Sequence, residues 1–225
     1  MRTREGNKEQ DILDAATSVF ARYGYHGAKM AKIAEAAGVG AGSLYLYFKD
    51  KAGILSGIFE RLLKALAFEM DRVTARKDLT GIEKLDGIID LVFDMFINNA
   101  PLALVFVNEH NNLIMDDDQI ASDPYEQFLE RAEKVFIQGY NEGLFNPDLD
   151  YRVYRHFLFG GLRRLIHEWA RHPDDFPING IRRDVKHFIK RGIMAPSKSQ
   201  GDNFHELQMV KGIDPALSPV RDTPA

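Results

Sequence analysis

Cysteine is absent from the 225 residues, so the chain can form neither disulfides nor thiolate metal sites. No apolar run reaches the roughly 18 residues that a membrane helix needs. The polar start MRTREGNKEQD also lacks the apolar segment of a secretory signal. Apolar residues nowhere alternate with the period of two that is typical of strands. We therefore expect an all-α, cytoplasmic protein with no membrane partner.

Patterns typical of catalysis and metal binding are also missing. The candidates are Glu109-His110, the run Asp116–Asp118, His156 and His167, and their spacing matches no zinc or acid–base pattern. A lone histidine on a helix is usually a hydrogen-bonded structural residue. We expect no catalytic residue, no metal and no cofactor, and an enzyme is the less favoured class.

Charge is distributed unevenly along the chain. The net charge is −4, but residues 1–51 carry eight Lys/Arg against six Asp/Glu, which is +2 and leaves −6 for the remainder. Nucleic-acid binding needs positive potential. The small basic excess therefore favours a nucleic-acid partner for the amino-terminal part only.

Apolar residues recur at helical spacing, and glycine or proline separates the repeats. Gly24 ends the first repeat, Gly38 lies where a left-handed residue closes a helix, and Pro101 and Pro124 suit first helical turns. About nine helices are predicted: Lys8–Tyr23, Met30–Ala37, Ala41–Phe48, Lys51–Val73, Gly81–Asn99, Leu102–Met115, Ser122–Glu142, Leu149–Arg171 and a last one around 181–189.

The second and third of these helices are short and flank a glycine-containing turn. This arrangement predicts a helix-turn-helix, whose second helix fits the major groove of DNA. In that helix Leu44 and Phe48 share a buried face, whereas Ser43, Tyr45 and Tyr47 point elsewhere.

The same stretch resembles the DNA-binding signature of the tetracycline-repressor (TetR) family. The matching residues are Ile33-Ala34, Gly38-Val39, Gly42, Leu44-Tyr45, Tyr47-Phe48 and Lys51. The resemblance implies a dimeric, all-helical transcriptional regulator, expected to be a repressor, that binds a palindromic operator and responds to a small molecule. We expect a DNA-binding domain over 1–53, a ligand-binding and dimerisation domain over 54–194, and a tail over 195–225.

Two segments at the ends of the chain keep alternative interpretations. Arg2 and Arg4 belong either to a frayed terminus or to an arm that contacts DNA. The proline-containing tail is expected to be disordered, although Phe204–Val210 has the pattern of one helical turn.

The resemblance also implies which side chains face DNA. Ala41, Gly42 and Ser43 match positions near base edges, and Tyr45, Tyr47 and Lys51 match positions that contact phosphates. We add Lys29 and Lys32 on the basis of charge and position. The alternative for the two tyrosines is ordinary packing.

A regulator of this kind needs a cavity for its effector, and aromatic residues are the candidates for its lining. They are Phe93, Phe96, Phe106, Phe136, Tyr140 and Phe157. Rings midway along converging helices favour a long apolar ligand. Most phenylalanines in a helical domain nevertheless belong to the core.

A narrower resemblance concerns the segments GYH…AGV…YLYFK, GLRRLIHEWA and IRRDVKHFIKRGI. They resemble regulators of fatty-acid metabolism within the TetR family, which respond to long-chain acyl-coenzyme A (acyl-CoA). Arg163, Arg164 and His167 are then expected to bind a phosphate-bearing head group, together with Arg152 and Arg155 a turn or more earlier. The alternative for these residues is a solvated helix face or ion pairs at an interface. The alternative function is regulation of an efflux pump, with aromatic or cationic drugs as effectors.

The last two long helices are the expected dimer interface, as is usual in the family. Gly160 and Gly161 allow close helix approach, and Trp169, Val185 and Phe188 supply an apolar centre. Packing within one subunit is the alternative for these residues. A purely structural helical interaction module remains the other non-regulator class.

Overall fold

The apolar stripes of the sequence become helices in a computed structural model that describes residues 8–115 and 122–195. Over these ranges the chain forms nine helices, and the all-α class is confirmed. They are α1 (Lys8–Gly27), α2 (Met30–Ala36), α3 (Ala41–Tyr47), α4 (Lys51–Thr74), α5 (Gly81–Ile97), α6 (Ala100–Met115), α7 (Ser122–Asn141), α8 (Tyr151–Arg171) and α9 (Ile178–Ile193). The predictions for Arg2, Arg4, Asp116–Asp118 and the tail segment Phe204–Val210 lie outside the described residues.

Local signals account for most helix ends. Gly24 and Gly38 have φ angles of 69° and 66°, a region that only glycine enters freely. A kink at Gly24 therefore interrupts α1, and one further turn follows it. Asp50 caps α4 by accepting a hydrogen bond from the Gly53 N–H at 2.9 Å. The ninth helix starts at Ile178, earlier than its apolar pattern suggested.

Helix α4 begins next to the helix-turn-helix and extends among the later helices, where it packs against α5 and α7. Close approach requires glycine at particular places. A Cβ on Gly57 would lie 3.1 Å from the Leu13 side chain and 3.3 Å from the Phe48 ring, and one on Gly139 would lie 2.3 Å from the Phe145 ring. The apolar core is continuous from α1 to α9, so the predicted boundary at residue 53 remains a prediction.

Ion pairs between α5 and α9 place the last helix. Three acidic residues one turn apart on α5 face three basic residues on α9, in the pairs Asp86–Lys190, Asp90–Lys186 and Asp94–Arg182. The carboxyl end of α9 is held separately, because the Ala195 N–H donates to the Leu144 carbonyl at 2.9 Å. These contacts fix which side of α9 faces outward.

Candidate DNA-binding helix and effector cavity

Helix α3 contacts the core through one side only. Leu44 is fully buried and Phe48, the residue that follows the helix, is also buried. Burial of these two side chains secures the seven-residue helix, which has no side-chain cap among the described residues. The rest of α3 is therefore free to meet a partner.

The predicted DNA-facing residues of α3 all lie on this free side. Ala41, Gly42 and Ser43 are exposed, as are the rings of Tyr45 and Tyr47. All five positions are thus accessible to a partner. Their contacts with bases or phosphates remain predictions.

The three predicted lysines differ in their surroundings. Lys29 is exposed at the amino end of α2, and the Lys32 ammonium lies 4.1 Å from the centre of the Tyr23 ring. Lys51 donates hydrogen bonds to the carbonyl oxygens of Tyr25 at 2.8 Å and His26 at 3.3 Å. Lys51 therefore also anchors the end of α1, a structural role that the sequence did not reveal.

A contact from α6 reaches the same end of α1. The buried Glu109 carboxylate accepts a hydrogen bond from the Tyr25 backbone N–H at 3.4 Å. The Lys51 ammonium lies 4.8 Å from the centre of the Tyr25 ring. Tyr25 thus joins α6 to the start of α4, and sequence patterns had not predicted this contact.

A cavity of about 340 Å³ lies among α4, α5, α6, α7 and α8. Four of these helices, α4 to α7, contribute only apolar side chains, and α8 contributes all the charged ones. The lining comprises Leu63, Leu66, Val92, Phe96, Phe106, Phe128, Leu129, Arg155, His156, Phe159, Gly160, Leu162, Arg163 and Ile166. Such a lining suits an elongated apolar molecule with a polar end.

Arg155 is the most informative residue of the lining. Its Nε atom is buried and has no hydrogen-bond partner among the described residues. A second, much smaller cavity shares Arg155 and Phe159 with the first, and there the Tyr154 hydroxyl is likewise buried without such a partner. Burial raises the pKa of Tyr154. Arg155 was among the predicted cationic residues, and its helical spacing with Leu158 and Leu162 places it on the inner side of α8.

Only part of the predicted effector set meets at the cavity. Phe96, Phe106 and Arg163 line it, and Phe106 lies 5.3 Å from Phe96 between ring centres. Phe93 is in the core beside the Arg182 guanidinium, and Phe136 lines the smaller cavity.

The remaining members of that set lie elsewhere. Tyr140 and Phe157 are exposed and do not belong to the cavity lining. Arg164 pairs with Glu168 at 2.5 Å and lies 3.4 Å from the His167 ring nitrogen, outside the cavity.

The outer side of α8 and α9 carries an exposed aromatic pair. Phe157 and Phe188 are 68% and 63% exposed, and their rings stack with centres 6.1 Å apart. Gly160 and Gly161 are exposed on the same helix as Phe157. Among the other predicted interface residues, Val185 is half-buried against the core, and Trp169 is buried because it continues the inner stripe of α8.

A charge pair joins α4 to α7. The Arg131 Nε donates to Asp71 at 2.8 Å. This hydrogen bond lowers the pKa of Asp71 below its usual value. The pair links the two helices that contribute Leu66 and Phe128 to the cavity.

Comparison with known proteins agrees with both halves of this architecture. Residues 12–58 match the family described as bacterial regulatory proteins, tetR family, and residues 59–192 match the YsiA-like protein C-terminal region. The chain belongs to the TetR family. This TetR-family protein is therefore a DNA-binding transcription regulator and not an enzyme.

Relatives of this TetR-family chain are named as transcription regulators, and one of the names refers to fatty acid metabolism. The fatty acid metabolism regulator protein of Bacillus subtilis is 28% identical over 186 residues, covering 83% of this chain and 95% of its own. The transcriptional repressor KstR2 of Mycobacterium tuberculosis is 26% identical over 160 residues, covering 68% and 76%. Regulators of this family bind DNA operators and dimerise.

Solved structures give the same result. The regulator FadR of Bacillus subtilis, solved in complex with stearoyl-CoA, superposes with a TM-score of 0.71 at 26% identity and covers 82% of this chain and 98% of its own. FadR from Bacillus halodurans gives a TM-score of 0.72, also at 26% identity, with coverage of 83% and 96%.

Within residues 8–115 and 122–195, no single helix combines the length and apolar composition needed to cross a membrane. Helix α5 and the first part of α6 reach that threshold only together, and the chain bends by 108° between them.

Proposed function

We propose that this protein is a homodimeric repressor that leaves a palindromic operator when an acyl-CoA enters the cavity. The observation that carries the proposal is an apolar cavity whose charged residues, Arg155 and Arg163, both lie on α8. Its walls fit a hydrocarbon chain, and its arginines fit an anionic group at the end of that chain.

The state of Arg155 supports an anionic ligand. A buried donor without a partner costs free energy, and the buried Nε donor here belongs to a charged guanidinium. An incoming phosphate or other anion would satisfy the Arg155 Nε. Arg163 is eight residues further along α8, or about 12 Å at 1.5 Å per residue, so two separated anionic groups could be held.

The same charges disfavour the efflux-regulator alternative. The cavity lining contains Arg155 and Arg163 but no aspartate or glutamate. A cationic drug would therefore meet like charge in a site of low dielectric. Similarity to FadR of Bacillus subtilis, a protein solved with stearoyl-CoA, supports an acyl-CoA as the effector here.

Two routes lead from the cavity to the DNA-binding helices. Helix α4 contributes Leu63 to the cavity and begins beside the helix-turn-helix. Helix α6 contributes Phe106 and, one turn later, Glu109, which holds the Tyr25 N–H. A ligand that displaces Phe106 would strain this hydrogen bond. A ligand that displaces α4 would move the helix-turn-helix of its subunit, and in a dimer this changes the distance between the two recognition helices.

The dimer is proposed to form through the outer side of α8 and α9. Phe157 and Phe188 already stack on each other within the subunit, so less side-chain entropy is lost when a partner covers them than for two separate rings. Gly161 has no neighbouring atom within 4 Å of the place where a Cβ would be, which leaves room for a second helix. Two such subunits would present their recognition helices to half-sites about 34–36 Å apart.

The proposal is tested by thermal unfolding with stearoyl-CoA, palmitoyl-CoA, free stearate and a cationic dye. An acyl-CoA at 100 times its Kd is expected to stabilise the protein by about 2.7 kcal/mol and to release it from operator DNA in a gel shift. Stabilisation by the dye alone, or no release at saturating acyl-CoA, would contradict the proposal.

A matched pair of variants locates the anionic group. Arg155→Gln is expected to weaken acyl-CoA binding by about 10- to 100-fold, since it removes one charge-assisted contact. Arg152→Gln is the control, because Arg152 lies one turn earlier on α8, outside the cavity, in an exposed pair with Asp150. Equal losses in both variants would indicate a general electrostatic effect and not a site at Arg155.

A further inference from the structure

The recognition helix has a large apolar side chain on its outer side. Leu46 is 84% exposed, more than any other large apolar side chain among the described residues. Burying an apolar side chain of this size is favourable, and the free protein lacks this contribution because Leu46 is exposed to water. Leu46 is therefore expected to find an apolar surface in the DNA-bound state.

Helix geometry places Leu46 at the centre of the DNA-facing side. At about 100° per residue, positions two residues before and after Leu44 lie roughly 160° from it. These positions are Gly42 and Leu46, and Gly42 has no side chain. Leu46 consequently projects furthest from the core, with Ser43 and Tyr45 on either side of it.

We infer that Leu46 contacts the C5-methyl group of a thymine in each operator half-site and so contributes to sequence specificity. The thymine methyl is the apolar group that the four standard bases present in the major groove. Deoxyribose offers apolar surface too, but it lies along the edges of the groove, where Tyr45 and Tyr47 are predicted to contact the backbone. This inference depends on DNA binding by α3 and not on the identity of the effector.

The test removes one methyl group at a time from the DNA. Operator sequences are first selected from randomised duplexes with the wild-type protein, and each thymine is then replaced by deoxyuridine. Binding is measured by fluorescence anisotropy at one fixed salt concentration. At one thymine per half-site, deoxyuridine is expected to weaken wild-type binding about fourfold, and about fifteenfold when both half-sites are changed.

The variant Leu46→Ala is expected to bind the thymine and deoxyuridine operators equally well. Phe68→Ala is the control, since Phe68 is a similarly exposed apolar residue on α4, outside the helix-turn-helix. It should keep the wild-type preference for thymine. Circular dichroism and thermal unfolding verify that both variants fold.

Three results would overturn the inference. The first is that wild-type protein binds deoxyuridine and thymine operators alike at every position. The second is that Leu46→Ala weakens binding to both operators while the preference for thymine stays, which would indicate a backbone contact. The third is that the selected half-site contains no thymine. A selection that enriches no sequence at all would instead contradict operator binding itself.

Discussion

Truncation of Phe188 to alanine is the most direct test of the proposed dimer. In the subunit this ring is 63% exposed and contacts the Phe157 ring at a centre distance of 6.1 Å. Its removal leaves no cavity in the core, because the core of α9 is formed by Ile189 and Ile193 instead. The variant subunit should therefore fold as the wild type does.

The expected loss of dimer affinity follows from the exposed area of the ring. An aromatic side chain offers about 200 Å² for burial, so an exposed fraction of 63% corresponds to about 125 Å². At about 25 cal/mol per Å², and after subtraction of what alanine still buries, each ring contributes about 2 kcal/mol. A twofold interface contains two copies, so the dimer loses about 4 kcal/mol and its Kd rises about 1,000-fold.

Sedimentation velocity over a range of protein concentrations measures this change. Phe68→Ala is a closely matched control, because Phe68 is 65% exposed but lies on α4 and not on the proposed dimer surface. It should leave the dimer Kd unchanged. The double variant of Phe157 and Phe188 should lose less than the sum of the single changes, since the two rings stack on each other.

The reasoning would be refuted if the Phe188 and Phe68 variants had the same dimer Kd. It would also be refuted if the Phe188 variant remained dimeric at concentrations where wild type begins to dissociate. Either result would place the dimer interface on another surface and leave the stacked pair without a role in assembly.

Three further predictions concern packing and charge. Gly161→Ala should weaken the dimer in sedimentation. In a Phe188→Ala subunit the same change should raise the free energy of unfolding in urea by about 1 kcal/mol, because the new Cβ meets no atom within 4 Å and alanine favours helix. A destabilised subunit would contradict this. Gly139→Ala should lower stability in urea by about 2–3 kcal/mol, since its Cβ would lie 2.3 Å from the Phe145 ring, and an unchanged midpoint would count against it. The lowered pKa of Asp71 implies that its hydrogen bond stabilises the fold above about pH 4 and is lost as the pH falls through the lowered value. Urea unfolding from pH 2 to 7 measures this effect. Near neutrality Asp71→Asn should lower the free energy of unfolding by less than about 1 kcal/mol, and in acid the difference from wild type should disappear. Equal urea midpoints of variant and wild type at every pH would contradict the prediction.

Helix positions were largely predictable because the signals are local. The kink at Gly24 and the left-handed Gly38 follow from the freedom of glycine at positive φ, and Pro101 in the first turn of α6 follows from its missing N–H. The family was predictable for the same reason, since its signature lies within one short stretch that forms α2, α3 and the start of α4. The outward position of Leu46 was also predictable, because helix geometry alone places it opposite Leu44.

The composition of the cavity and of the outer surface required the tertiary structure. Phe93 and Phe96 are three residues apart on one helix, yet only Phe96 lines the cavity. Phe157 was predicted to line the cavity, but its ring is exposed on the surface of the subunit. Trp169 was predicted for the dimer interface, but its ring is buried inside the subunit. Periodicity identifies which side of a helix is apolar, whereas the neighbouring helices decide whether that side meets core, cavity or solvent. Those neighbours are distant in sequence, and for this reason the buried Nε atom of Arg155 and the contact between Glu109 and Tyr25 appeared only in the folded chain.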